Sequence, residues 1–172
     1  MSNFVKTNEI TDYVKIEMES GSSLVIALDE KSAPITVENF RKLVKEGFYN
    51  GLIFHRVIAG FMVQGGDPTG TGMGGSKQTI KGEFRMNGVP NPISHKRGVI
   101  SMARTNYPDS ASSQFFICHA DATFLDGQYA AFGSVVEGIE TVDEIAAAPT
   151  NAQDKPLTPQ RIRETYFVLQ TK

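Results

Sequence analysis

The chain has 172 residues, 40% of them hydrophobic and 21% charged, with a net charge of -2 at pH 7. That is enough apolar side chain for one domain with a substantial core. It is too little basic charge to track a phosphate backbone, so no nucleic-acid partner is expected. No apolar run approaches the roughly 20 residues that cross a bilayer, so no membrane partner is expected either. The N-terminal MSNFVKTNEITDY lacks the apolar stretch of a secretory signal. The single cysteine, Cys118, rules out an internal disulfide and fits a reducing compartment. A cytoplasmic monomer is the expectation.

Residues 1–12 show no period and read as a loosely held arm of a single domain spanning 1–172. From Tyr13 the chain alternates, with Val14, Ile16 and Met18 on one face and Lys15, Glu17 and Glu19 on the other. That is a half-buried strand. Ser20-Gly21-Ser22 punctuates it, and Leu24 to Leu28 supplies the second strand of a hairpin. Between Asp29 and Gly47 the period becomes helical. Pro34 and Thr36 fit a helix start, Val37, Phe40, Leu43 and Val44 share one face, and Gly47 is a stop. Strand-like runs follow at Leu52 to Ile58, Phe61 to Gln64, Val99 to Ala103, Phe115 to Cys118 and Phe132 to Val136. The long Gly-, Pro-, Asn- and Thr-rich stretch from Gly65 to Pro92 reads as a functional loop. Ile139 to Ala148 is a second helix with Val142, Ile145 and Ala146 as its stripe, and Thr165 to Leu169 is a final strand. Many short strands and two separated helices argue for an antiparallel barrel with the helices over its open ends.

The chemistry is concentrated in FHRVIAGFMVQGGD, Phe54 to Asp67. It offers a fixed cation, Arg56, an apolar pair, Phe61 and Met62, and a neutral amide, Gln64. A second run, SSQFFIC, adds Gln114 and Phe116, while Phe115 points to the opposite face of its strand and suits the core. A lone strand arginine is ordinarily a solvated side chain, and buried phenylalanines are ordinarily core. The run GTGMGG, Gly70 to Gly75, satisfies G-x-G-x-x-G but lacks the strand before it and the helix after it that bind dinucleotides. Its glycines read as turn residues. His55, His95 and His119 are scattered, so neither a metal site nor a Ser-His catalytic set is expected, and no cofactor. Cys118 in its apolar run reads as a small core residue.

Together FHRVIAGFMVQGGD, SSQFFIC and FLDGQYAAFG (Phe124 to Gly133) resemble the signatures of the cyclophilins, the peptidyl-prolyl cis-trans isomerases. The resemblance runs from about Tyr13 to Leu169 and includes the helix pattern TVENFRKL. It implies a closed eight-stranded antiparallel β-barrel capped by two α-helices, and an enzyme that rotates X-Pro bonds and assists folding. It implies Arg56 and Gln64 as catalytic residues. The substrate site it implies comprises Phe61, Met62, Ala103, Arg104, Gln114, Phe116, Phe124, Leu125 and Tyr129. Its partners would be proline-containing peptides and unfolded or folding proteins. Three positions depart from the eukaryotic pattern: Arg104 replaces an asparagine, Phe124 a tryptophan and Tyr129 a histidine. Bacterial-type members share changes like those at Phe124 and Tyr129, and these two imply weak cyclosporin binding. Two rival classes are a holdase that binds proline peptides without turnover, and a nucleotide-dependent enzyme supported only by the glycine run. Retention of Arg56 argues against the holdase, which needs the apolar wall more than the cation.

Overall fold

In the computed structural model, residues 2–171 are described. The hairpin read from alternation is present: the second and third strands, β2, Tyr13–Met18, and β3, Ser23–Leu28, pair with Val14 opposite Ile26 and Ile16 opposite Leu24. Helix α1 spans Pro34–Lys45, followed by β4, Arg56–Ile58, and β5, Met62–Gly65. Beyond a long irregular segment come β6, Val99–Met102, β7, Phe115–Cys118, and β8, Ala131–Glu137. Helix α2, Ile139–Ala146, and β9, Ile162–Gln170, complete the order. The first strand, β1, is Phe4–Lys6, inside the arm read from sequence as loosely held; it lies antiparallel on β9, with Val5 opposite Leu169.

The strands form one antiparallel sheet in the order β1-β9-β2-β3-β8-β6-β7-β5-β4. Two sequence expectations are corrected here. There are nine strands among the described residues, not eight, and the ladder is not closed, because β1 and β4 at its ends do not pair. Leu52 to Ile58 does not run as one strand either. Gly51 takes a positive φ of 83°, and from there the chain touches the start of β9 only briefly. An isolated bridge joins Ile53 to Arg161, and Phe54 N–H donates to the Gln160 carbonyl at 2.9 Å. Regular pairing then resumes at Arg56 with a different neighbour, β5.

Helix α1 follows its apolar period, burying Val37, Phe40, Leu43 and Val44. Pro34 occupies a first-turn position where the missing N–H costs nothing. Ala33 supplies no side-chain cap; instead the buried Glu83 does so from the long loop. Its carboxylate accepts from the N–H of Thr36 at 2.7 Å, the Thr36 hydroxyl at 2.6 Å and the N–H of Ile35 at 3.1 Å. A negative charge at a helix start satisfies both the orphan donors and the dipole. Phe40 packs edge-on to Phe115, with Tyr49 and Phe132 also in ring contact. Each such buried ring contributes about 1.5–3 kcal/mol, and these rings pack behind the strands that carry the candidate site. The stripe of α2, Val142, Ile145 and Ala146, joins the same core.

Candidate active site

Strand period two sorts the residues of β5, β6 and β7 into two layers. Val63, Ile100, Met102, Phe115 and Ile117 enter the main core, while Met62 and Phe116 belong to a separate cluster with Phe61, Ala103, Leu125 and Tyr129. The registers set the functional side chains in one row across four strands: Arg56 faces Gln64, Gln64 faces Phe116, and Phe116 faces Ser101. The row lies on the face turned away from the main core.

Here a cavity of about 150 Å³ is lined by Arg56, Phe61, Met62, Gln64, Ala103, Arg104, Phe116, Leu125 and Tyr129. Met62 and Phe116 are nearly buried and form its floor. Tyr129 stands edge-on to Phe116 at 5.8 Å between ring centres. Arg104 does not reach in as a free cation. Its guanidinium lies 4.8 Å from the Phe84 ring centre and 4.6 Å from that of Tyr129, and its Nε donates to the Gln128 carbonyl at 3.1 Å. It is a wall, held by stacking.

Arg56 differs. Arg41, Arg97, Arg161 and Arg163 each meet a carboxylate, but among the described residues Arg56 meets none. Its side chain donates through Nη1 to Gln64 Oε1 at 3.4 Å. Gln64 Nε2 in turn donates to Gln114 Oε1 at 2.9 Å, and Gln114 Nε2 donates to the carbonyls of Gly72 at 3.0 Å and Gly74 at 2.7 Å. Carbonyls only accept, so they fix which way the Gln114 amide points, and that fixes Gln64. The orientation of the guanidinium is thereby relayed from the glycine loop.

The loop itself is organised by Asp67, which is fully buried. Its carboxylate accepts from the Thr69 N–H and hydroxyl, both at 2.8 Å, from Gly72 N–H at 2.6 Å and from Gly74 N–H at 3.0 Å. Burial raises the Asp67 carboxyl, but the bonds from Thr69, Gly74 and Gly72 outweigh burial and hold it at about 2. Gly72, at φ 93°, occupies a conformation that side chains rarely adopt. Every backbone N–H from Thr69 to Gly74 is spent inside the loop. From Gly70 to Gly74 the G-x-G-x-x-G run therefore presents no free amides to a phosphate.

Behind the pocket lies an arrangement that sequence spacing did not reveal. His95 Nδ1 is 2.9 Å from Asp126 Oδ1 and its Nε2 is 2.9 Å from Ser101 Oγ. The geometry is that of a Ser-His-Asp set, but Ser101 and His95 are fully buried, so no substrate reaches the hydroxyl. Burial depresses the His95 pKa, opposed by Asp126. The His95 ring stacks on Phe116 at 6.0 Å, so the network supports the pocket floor from beneath.

Of the residues singled out from sequence, nine line this cavity. Gln114 stands one step behind, holding Gln64. Phe124 is 67% exposed and touches the site only through Phe61, at 5.6 Å between ring centres. Phe115 and Cys118 are core, as read, and burial pushes the Cys118 thiol up to about 12. Asp67 was inside the motif without a role; the Asp-Pro-Thr-Gly succession after it is a turn signal that marks such a carboxylate.

Residues 13–167 match the family model described as cyclophilin type peptidyl-prolyl cis-trans isomerase/CLD. A peptidyl-prolyl cis-trans isomerase of Helicobacter pylori is 46% identical over 154 residues, covering 84% of this chain and 91% of that protein. A cyclophilin type peptidyl-prolyl cis-trans isomerase of Cryptosporidium parvum superposes with a TM-score of 0.84 at 32% identity, over 94% of this chain and 99% of that one. A second crystal structure of that enzyme, obtained in the presence of the dipeptide Ala-Pro, gives a TM-score of 0.82 at 33% identity, over 90% and 98% of the two chains. A row of arginine, glutamine and phenylalanine over an apolar floor, on this sheet and with these relatives, places the chain in the cyclophilin family of peptidyl-prolyl cis-trans isomerases.

Proposed function

We propose that this protein catalyses cis-trans rotation about X-Pro peptide bonds without a cofactor, as a cytoplasmic monomer acting on unfolded and folding proteins. The observation that carries the mechanism is a guanidinium with no carboxylate partner among the described residues, set beside an apolar cavity of about 150 Å³. The barrier to rotation is about 18–20 kcal/mol because twisting the amide destroys its resonance. In the twisted state the prolyl nitrogen regains a lone pair and becomes a better acceptor. A cation aimed at it stabilises that state more than either planar isomer. A guanidinium already paired with a carboxylate would have its donors filled; Gln64, being neutral, orients Arg56 without quenching it. Phe61, Met62, Phe116 and Leu125 hold the proline ring while the preceding carbonyl turns. The relative crystallised in the presence of Ala-Pro supports a proline-containing peptide as the ligand class.

The direct test is exchange spectroscopy on a short X-Pro peptide, with and without chelator. Equal acceleration in both is expected, and loss on metal removal contradicts the mechanism. The rate should also be nearly flat from about pH 7 to pH 9. Burial lowers the pKa of both His55 and His95 and raises Cys118 to about 12, so these groups keep one protonation state across that window. A steep limb within it would mean that a titrating group takes part.

A further outcome concerns inhibitors. Phe124 offers its ring to solvent beside Phe61 but has no indole N–H to donate. Cyclosporin should bind weakly, and Phe124→Trp should tighten it by about tenfold, the worth of one hydrogen bond, with peptide turnover little changed. Calorimetry finding tight binding to the unaltered protein would contradict this.

A further inference from the structure

A second cavity, of about 370 Å³, opens on the other side of Arg56 and shares Arg56 and Gln64 with the proline pocket. Its remaining lining comes from His55, from Gly70 to Gly72, and from Asn151, Gln153 and Lys155. His55 is only 6% exposed, and neither of its ring nitrogens makes a hydrogen bond of good geometry, although the Gln114 side chain lies beside it. An imidazole carries at least one N–H in any state, so a buried donor is left unmet, which ordinarily costs about 1–3 kcal/mol. Such a group calls for an acceptor.

The surroundings are cationic and fixed in place. Lys155 Nζ donates to the Gly70 carbonyl at 3.2 Å, which holds it at the rim. Its loop is closed by Asn151 Oδ1, which accepts from the N–H groups of Gln153 at 2.9 Å and Lys155 at 3.0 Å. Asp154, with a positive φ of 63°, turns its carbonyl onto the N–H of Val57 at 2.7 Å and so docks the loop on β4 beside Arg56. The negative charge of Asp67 is felt at His55, but its oxygens are turned to the glycine loop and occupied there. The backbone amides of that loop are spent, so anion recognition falls to the side chains. Two cations, a histidine donor and three side-chain amides suit a carboxylate.

We propose that this cavity is a second substrate subsite, in which Lys155, His55 and the outer edge of Arg56 take a carboxylate lying within about three residues of the proline. It deepens the isomerase reading, since the same arginine would border both the proline ring and the acidic group. The carboxylate has two sources, an Asp or Glu side chain or the free end of a peptide, and the two are separable by amidation. Lys155 is the specificity determinant that stands outside the isomerisation machinery.

The test uses C-terminally amidated peptides with Glu or Gln at each position around an Ala-Pro centre, plus one peptide with a free carboxylate near the proline. Affinity is read by NMR titration and turnover by exchange spectroscopy. A Glu peptide, or the free-end peptide, should bind about three- to tenfold more tightly than its neutral twin at low salt, and shift the His55 ring nitrogens where the twin does not. Lys155→Gln should abolish the difference while leaving neutral-peptide turnover unchanged, and Lys155→Glu should turn the preference towards Lys. Equal affinity for charged and neutral peptides at every position, or a preference that survives Lys155→Gln, overturns the subsite. Neutral peptides that bind but are never isomerised would overturn the isomerase reading instead, and a charge preference in affinity that depends on Lys155 would still establish the subsite.

Discussion

Arg56→Ala should slow catalysed X-Pro exchange by about one to two orders of magnitude. The figure follows from the roughly 1.5–3 kcal/mol of a hydrogen bond to a charged group, at about 1.4 kcal/mol per decade of rate. It is smaller than the whole effect of the enzyme, because a millionfold acceleration needs about 8 kcal/mol. The remainder falls to the preorganised, partly desolvated cleft built on Met62 and Phe116, so the alanine variant should keep some activity. Arg56→Lys should also lose most of the arginine's share. An ammonium carries charge but lacks the planar fork that donates to Gln64 Oε1 on one side and to the peptide on the other. Gln64→Ala should cost less than Arg56→Ala, and the double variant little more than Arg56→Ala alone, since the amide acts through the cation. Unchanged exchange in both Arg56 variants would remove the arginine from the mechanism.

The sequence was most legible where one period governs a whole element. Alternation from Tyr13 located β2, and the spacing of Val37, Phe40, Leu43 and Val44 located the buried face of α1. The residues that line the cavity were legible for a related reason. By period two Met62 and Gln64 share one face while Phe115 and Phe116 take opposite faces, so a linear motif became a row once the registers were set. Strand count and closure were not legible. The pairing of Val5 with Leu169 spans nearly the whole chain, and the break between Ile53 and Arg56 reflects a turn at Gly51 that composition does not distinguish from other glycines. Long-range polar partnerships were equally hidden. Glu83 caps a helix 47 residues away, and His95 meets Asp126 and Ser101 only because two loops and a strand converge. None has a spacing that announces it.

Asp67→Ala should damage stability and catalysis together, although the residue touches no substrate. Its carboxyl is held at about 2 against an ordinary 3.8, which corresponds to about 2 kcal/mol of folded-state preference for the ion. Because the folded pKa is the lower one, that contribution is present in full above about pH 4 and disappears as pH falls through about 2. Urea unfolding should therefore show the variant less stable at pH 7 by about 2 kcal/mol or more, with the gap closing as pH falls towards 2. The catalytic loss follows from connectivity. Without the carboxylate, the N–H groups of Thr69, Gly72 and Gly74 lose their common acceptor. The carbonyls of Gly72 and Gly74 that orient Gln114 then drift, and with them Gln64 and Arg56. Gly74→Ala provides an independent check, since a Cβ there would lie 2.2 Å from Asp67 Oδ1 and displace the carboxylate without removing it. Exchange rates should fall in both variants. A stability gap that is the same at pH 7 and pH 2, or full turnover in both variants, would mean that the loop does not set the arginine. If both effects appear, the glycine run is the support of an electrostatic catalyst, and its inward-turned amides explain why it resembles a nucleotide loop without serving as one.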